Sequence, residues 1–231
     1  MNCYTGLNKA FVIDDSIRRD LIRADGKSRE VIMPFATGRE IRKWRLGKPS
    51  TWLLYMPWDI DIRRYPAVHE HLSQWKSELA RRPEVRDKKY NWWCLARYNP
   101  ASYGLMKTPK IVYQVFQVKP CFSLDTTGAA VNNATYIIAC DDLFLLGVLN
   151  SEAFWKEISR VCSPIQNGYQ LMKDYLVKAF VPIPSKDERC TVEAYVKEIV
   201  DSGDDEAVDT EARLNDFITS LYSRKAKAGV K

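Results

Sequence analysis

The sequence predicts an α+β fold: a twisted mixed β-sheet domain with flanking helices and a C-terminal helical hairpin. Three observations carry that expectation. β-rich runs at 111–116, 121–124 and 135–139 follow one another, separated by Pro120 and a Gly-Asn turn region at 128–133. Apolar residues at helical spacing lie on both sides of these runs. After Pro182-Ile183-Pro184 the character changes to two amphipathic stripes. Residues 1–184 are therefore expected to form the core, and 185–231 a helical hairpin and basic tail packed on it.

Taken in order, 10–14 reads as a short strand. Asp14 or Asp15 then stands where a carboxylate caps a helix, one that carries Ile17, Leu21 and Ile22 on one face. Residues 51–56 form a second strand. Pro66 sits where a helix begins, since its missing N–H has no partner in the first turn anyway, and Val68, Leu72, Trp75 and Leu79 continue at helical spacing. The run 143–149 is read as buried helix, because Val148 is its one β-branched residue. Beyond 184, Val192, Tyr195, Val196, Ile199 and Val200 form one stripe, and Leu214, Phe217, Ile218, Leu221 and Tyr222 another. An acidic loop at 201–209 lies between them, so the simplest reading is a helical hairpin. The tail 224–231 is expected to be disordered.

With 231 residues, 46% of them hydrophobic, the chain can bury a core without metal or disulfide staples. Its longest apolar run, Leu143–Leu149, is too short to cross a bilayer, and no basic-then-apolar leader precedes Cys3. A cytoplasmic protein with no membrane partner is expected. The 6 cysteines are dispersed without a C-x-x-C pair, which argues against a zinc module and for thiols in a reducing compartment. Only 2 histidines are present, too few for a histidine-rich metal site.

The net charge of +6 hides an asymmetry. Up to Pro120 there are 23 basic and 12 acidic residues, a balance of +11; from Cys121 onward there are 12 and 17, a balance of −5. A basic half joined to an acidic half suits one surface facing a polyanion, although a solvated mixed-charge surface gives the same count. The densest basic stretch runs from Arg39 through Arg42, Lys43 and Arg45 to Lys48, interleaved with Trp44 and glycines. Lys and Arg neutralise phosphates, and Arg also reads guanine edges. A second basic and aromatic stretch, 81–98, holds Trp92, Trp93 and Arg97; paired tryptophans are more often core than stacking platform.

Catalytic constellations are weak. Asp59-x-Asp61 and His69-x-His71 flank Pro66, but histidines two apart on a helix point to different faces. Gln117-Val118-Lys119 has glutamine where a nuclease needs a metal-holding carboxylate. Asn99-Pro100-Ala101-Ser102-Tyr103 approaches the base-gripping Asn-Pro-Pro-Tyr of amino-methyltransferases, yet lacks the second proline and displaces the aromatic by one. No glycine-rich turn after a strand is present to hold S-adenosylmethionine. No catalytic residue, metal ligand or cofactor site is expected in this chain.

Short motifs in a fixed order do carry a family likeness. They are Thr5-Gly6-Leu7-Asn8-Lys9-Ala10-Phe11, then Pro34-Phe35-Ala36-Thr37-Gly38-Arg39-Glu40-Ile41 with Trp44, then Tyr65-Pro66-Ala67 with His71-Leu72 and Trp92-Trp93. Next come Pro109-Lys110-Ile111-Val112-Tyr113, Leu149-Asn150-Ser151, Pro182-Ile183-Pro184 and Asn215-Asp216-Phe217 with Leu221-Tyr222. In this the chain resembles the TaqI-like C-terminal specificity domain of adenine-specific DNA methyltransferases and fused type II restriction-modification enzymes. Glu40 stands where that family usually has aspartate.

The resemblance implies a target-recognition domain that reads double-stranded DNA in a bacterial defence system, separated from its catalytic domain. In the family an N-terminal methyltransferase domain binds S-adenosylmethionine and carries the base-gripping motif, so the cofactor and that domain would be partners outside this chain. Arg39, Arg42, Lys43, Arg45 and Lys48 are the expected phosphate or base contacts, with Arg97, Lys107 and Lys110 behind them; Gly38 and Pro182-Ile183-Pro184 are expected to be backbone geometry. Two other classes remain open: a protein-interaction module docking on a methyltransferase subunit through the C-terminal helices, and a nuclease or hydrolase with an unrecognised site.

Overall fold

In the computed structural model, Gly6 in the left-handed region (φ +72°) turns the backbone into α1 (Asn8–Phe11), followed by β1 (Val12–Ile13), α2 (Asp15–Ala24) and β2 (Ile32–Ala36). The short strands β3 (Trp44–Arg45) and β4 (Thr51–Leu54) precede α3 (Pro66–Ser73), α4 (Lys76–Leu79), α5 (Pro83–Arg86) and α6 (Pro100–Lys107). Then come β5 (Lys110–Gln114), β6 (Phe116–Gln117), β7 (Phe122–Asp125), β8 (Ala130–Val131) and β9 (Thr135–Ile138). The chain ends with α7 (Leu143–Leu149), α8 (Glu152–Val161), β10 (Ser163–Ile165), β11 (Gly168–Gln170), α9 (Lys173–Leu176), α10 (Lys186–Asp201) and α11 (Val208–Ala228). The structure describes residues 3–98, 100–202 and 207–228, without the side chains of 101, 102 and 225–228. The architecture is mixed α+β with twisted mixed sheets and C-terminal helices.

Two compact units emerge, each assembled from separate stretches of chain. The first takes Met1–Glu40, Lys48–Pro109 and Thr126–Thr135; the second takes Ile41–Gly47, Lys110–Asp125 and Tyr136–Lys231. The 185–231 segment lies within the second unit.

The first unit is built on a sheet of order β1-β4-β2-β8, in which β4 runs antiparallel to β1 and β2 while β8 runs parallel to β2. Asp14 caps α2 by accepting from the Ile17 amide at 2.8 Å. Ala10 and Phe11 belong to α1, so the strand expected over 10–14 shrinks to two residues: the Ala10 amide bonds the Leu7 carbonyl at 3.1 Å and closes a helical turn first. The helix at Pro66 breaks around Trp75, yet Val68, Leu72 and Leu79 are fully buried on both sides of the break. Arg82 ties this unit together, donating to the carbonyls of Thr5 (3.2 Å), Leu79 (3.0 Å), Trp92 (2.6 Å) and Cys94 (3.0 Å). Gly6 packs under it: a Cβ there would sit 2.9 Å from the Ala96 Cβ. The opening Thr5-to-Phe11 motif is therefore scaffold. The turn region 128–133 also holds β8, whose buried Ala130 and Val131 find a ladder partner in β2.

The second unit contains a sheet of order β3-β7-β5-β9 and an antiparallel sheet β10-β11-β6. Asn150 holds the start of β7 by exchanging two hydrogen bonds of 2.9 Å with the Phe122 backbone, and Ser151 caps α8. Helix α7 follows the expected bounds, started by Asp142 accepting from the Leu145 amide at 3.0 Å. It meets α10 so closely that a Cβ on Gly147 would lie 2.9 Å from Val192 Cγ1 and Val196 Cγ2. The α10 stripe buries Val192, Val196 and Ile199, and the α11 stripe buries Leu214, Ile218 and Leu221, all in one core with Phe122, Leu146 and Phe154. Phe217 and Tyr222 are half-buried at its edge. Helix α11 runs on through the expected tail, where Arg224 pairs with Glu188, the capping-box residue of α10; the remainder of that tail, 229–231, lies outside the described residues.

Candidate nucleic-acid interface

The basic stretch divides between the units. In the first, Arg39 stands exposed on a turn in which the Glu40 amide donates to the Thr37 carbonyl at 3.1 Å, and the Glu40 carboxylate accepts from the Thr37 amide (2.7 Å) and hydroxyl (2.8 Å). The acid in this motif thus shapes backbone and presents the neighbouring arginine. Lys48 is exposed too and helps to hold the Asp15 carboxyl below its usual range, an effect due first to the hydrogen bond from Arg18.

In the second unit β3 is pinned between β7 and the C-terminal helices. Trp44 adopts a left-handed backbone (φ +78°), a conformation that costs a bulky residue on the order of 1–3 kcal/mol. Its indole N–H donates to Glu211 Oε2 at 2.9 Å, while the Lys43 ammonium pairs with the other oxygen of the same carboxylate. Arg45 donates to the Ser202 carbonyl at 2.7 Å, and the buried Ser123 hydroxyl donates to the Arg42 carbonyl. Lys43 and Arg45 are therefore engaged in holding the strand, and Arg42 is exposed.

Lys110 corrects the expectation of a DNA-facing cation. It is 0% exposed and pairs with Asp125, also 0% exposed, directly opposite it across the antiparallel ladder. Burial pushes its ammonium pKa down, and the facing carboxylate works against that. Arg97 is exposed, with its backbone bridged to Tyr4 at 2.9 and 3.0 Å. Lys107, exposed at the end of α6, holds its ammonium 4.2 Å over the Tyr103 ring.

Trp92 and Trp93 meet edge to face at 5.5 Å with His69 against both, so they are packing. Asp61 receives Arg63 at 2.8 and 3.0 Å, and His71 meets the Ala10 carbonyl at 3.2 Å. The Gln117 amide braces its own turn, bonding Gln114 and Cys121 backbone at 2.9–3.2 Å. Asn99 lies outside the described residues. Among the described residues no group of three or more His, Cys, Asp or Glu is placed to hold a metal ion, and no helix is long and apolar enough to cross a membrane.

No family model matches the chain, and a search of curated proteins finds no match. Solved structures do match it. The chain shares its fold with part of a restriction-modification enzyme. The Type IIL restriction-modification enzyme MmeI, solved in complex with DNA, superposes with a TM-score of 0.69 at 14% identity, over 96% of this chain and 32% of that one. The likeness is one of fold, and this chain spans about a third of MmeI's length.

Two participants carried no local sequence signal. Glu211 acts on β3 from 168 residues away. Asp125 could have been paired with Lys110 only from the β5–β7 register, although opposite charges at the ends of two adjacent β-runs were the available hint.

Proposed function

We propose that this chain is the target-recognition part of a restriction-modification enzyme and reads double-stranded DNA for a catalytic domain carried elsewhere. The observation that supports this is the likeness of fold, over nearly the whole chain, to MmeI, which was solved with DNA. The TaqI-like motif order supplies the finer reading: the catalytic domain is an N-terminal adenine-specific methyltransferase, and S-adenosylmethionine belongs to it. The contacts we assign are the exposed cations Arg39, Arg42, Lys48, Arg97 and Lys107. Lys43 and Arg45 position β3, and Lys110 is excluded by burial.

Cations that neutralise phosphate release counterions, so affinity for duplex DNA should fall steeply with salt. Fluorescence anisotropy across a salt series tests this. Replacing Arg39, Arg42 and Lys48 by alanine should weaken binding and flatten the log–log slope by about 0.9 for each phosphate contact removed. Lys225→Ala with Lys227→Ala is the control. Equal losses from the two sets would mean diffuse attraction and sink the assignment; no binding to any duplex would sink the function.

A further inference from the structure

The first unit contains a cavity of about 690 Å³ that the basic stretches do not explain. One wall is aromatic. Tyr55 and Tyr103 stack at 4.5 Å with 24° between their planes, and Tyr98 meets Tyr55 edge-on at 6.2 Å. The rest of the lining mixes apolar Val31, Pro57, Ile60 and Pro100 with charged side chains, and most of those charges are already answered. Tyr65 donates to Glu30 at 2.8 Å, Arg64 approaches the same oxygen at 3.6 Å, and Asp61 is gripped by Arg63.

Two charged groups are left over. The exposed Asp59 carboxylate makes no hydrogen bond or ion pair with a described residue, and the exposed Lys107 ammonium makes no ion pair with one. A third polar group is also unanswered: the Tyr55 hydroxyl is buried and has no hydrogen-bond partner, on a residue only 4% exposed. Burial and the neighbouring Tyr98, Tyr103 and Asp59 push that phenol's pKa up, so it stays a donor lacking an acceptor.

What fits must offer a flat ring to the tyrosines, hydrogen-bond donors to Asp59 and an anion to Lys107. A cationic guest is disfavoured, because Lys107 already covers Tyr103 and Arg64 already lies 5.7 Å over Tyr65. A purely apolar guest would bury Asp59 unpaired. The geometry points to a single unstacked nucleotide: an amino-bearing base on the outer face of Tyr103, which the exposed Lys107 side chain leaves to take the phosphate, with the exocyclic amine on Asp59. Stacking of bases on aromatic side chains is how proteins hold nucleotides outside a duplex. Whether the nucleotide comes free or from an extrahelical position in a DNA strand, the chemistry recognised is the same.

The test titrates the full chain with each deoxynucleoside monophosphate while Trp58, partly exposed beside Tyr98 at 5.6 Å, reports by fluorescence. Saturable quenching by dAMP, dCMP or dGMP, at least about tenfold tighter than by dTMP or by the matching deoxynucleosides, is expected from one charge-assisted hydrogen bond. Asp59→Asn should erase the preference over dTMP, and Lys107→Ala the preference over nucleosides; both side chains are exposed, and an unchanged Tm verifies the fold. A second arm compares a perfect duplex with one carrying a single bulged adenosine. Tighter binding of the bulge names the strand as source, and equal binding names the free nucleotide. No saturation by any mononucleotide up to about 10 mM, together with no bulge preference, overturns the proposal. Perfect-duplex binding in that event would leave the DNA-recognition reading standing, while mononucleotide binding without duplex binding would do the reverse.

Discussion

A buried ammonium facing a buried carboxylate makes Lys110–Asp125 the most sensitive pair in the second unit. Lys110→Ala or Asp125→Ala breaks the buried ion pair and should lower stability by about 3–5 kcal/mol, read by urea denaturation. The double change Lys110→Met with Asp125→Leu should recover most of that loss, because the desolvation of both charges is removed together. If the double variant is as unstable as the singles, the pair's value lies in geometry rather than charge. His71 gives a second residue-scale expectation. Burial pushes its pKa down, while the hydrogen bond to the Ala10 carbonyl, donated by Nε2–H, works the other way. A folded-state pKa below the unfolded value of about 6.5 means that the unfolded chain takes up the proton first. Stability from this group is present at neutral pH and is lost as pH falls below that value toward the lowered one. The fall in Tm between pH 7 and 5 should therefore be smaller in His71→Gln than in the parent; an equal fall removes His71 from the pH dependence. At this scale the sequence was partly legible. Asp14 could be read as a cap because its partner is three residues on, whereas Lys110 read as a surface cation because its partner sits on another strand.

Helix α7 packs on α10 with almost no room to spare at Gly147. Gly147→Ala drives a methyl to 2.9 Å from two valine side chains, an overpacking that should cost about 1–3 kcal/mol. Val192→Ala alone opens a cavity, but Gly147→Ala with Val192→Ala should be less destabilised than the sum of the singles, since one change makes room for the other. Additive losses would show that α7 shifts instead of clashing. In the hairpin, Ile218→Asp buries a charge in the core and should abolish cooperative melting, while Phe217→Asp at the half-buried edge should be milder. Equal effects would place both side chains in the same environment. The helices were legible because their periodicity is local: α7 has an Asp142 cap and few β-branched residues, and both C-terminal stripes repeat at helical spacing. The strands β3 and β8, two residues each, were not. They exist only through partners on β7 and β2 that lie far away in sequence. The same stripes bear on the docking alternative, whose apolar surface is consumed within the unit's own core.

For the whole molecule, the helices after 184 share one core with elements that precede it. A chain truncated after Pro184 would lose Val192, Val196, Leu214 and Ile218 from a core shared with Phe122, Leu146 and Phe154. The fragment should bind a hydrophobic dye and show no near-ultraviolet circular dichroism; a native spectrum would mean that the helices are an appendage. The candidate interface was legible as a basic segment, since charge density is written in the sequence. Which of its cations stay exposed was not, because that depends on Glu211 and Ser202 from the other end of the chain. The tyrosines of the cavity come from positions 55, 65, 98 and 103, a spacing that no local pattern marks.

The chain passes from one unit to the other after Glu40, Gly47, Pro109, Asp125 and Thr135 before it stays in the second. That threading bears on inheritance. A genetic crossover at any point between 41 and 135 delivers a gene in which both units are chimaeric, and between 46 and 129 each unit has strands from two parents meeting across a ladder. Such recombinants would be purged unless the parents are nearly alike. Divergence in this chain should then arise by point substitution at exposed positions or by wholesale transfer of the entire segment, and comparison of natural alleles should show breakpoints clustered outside 41–135.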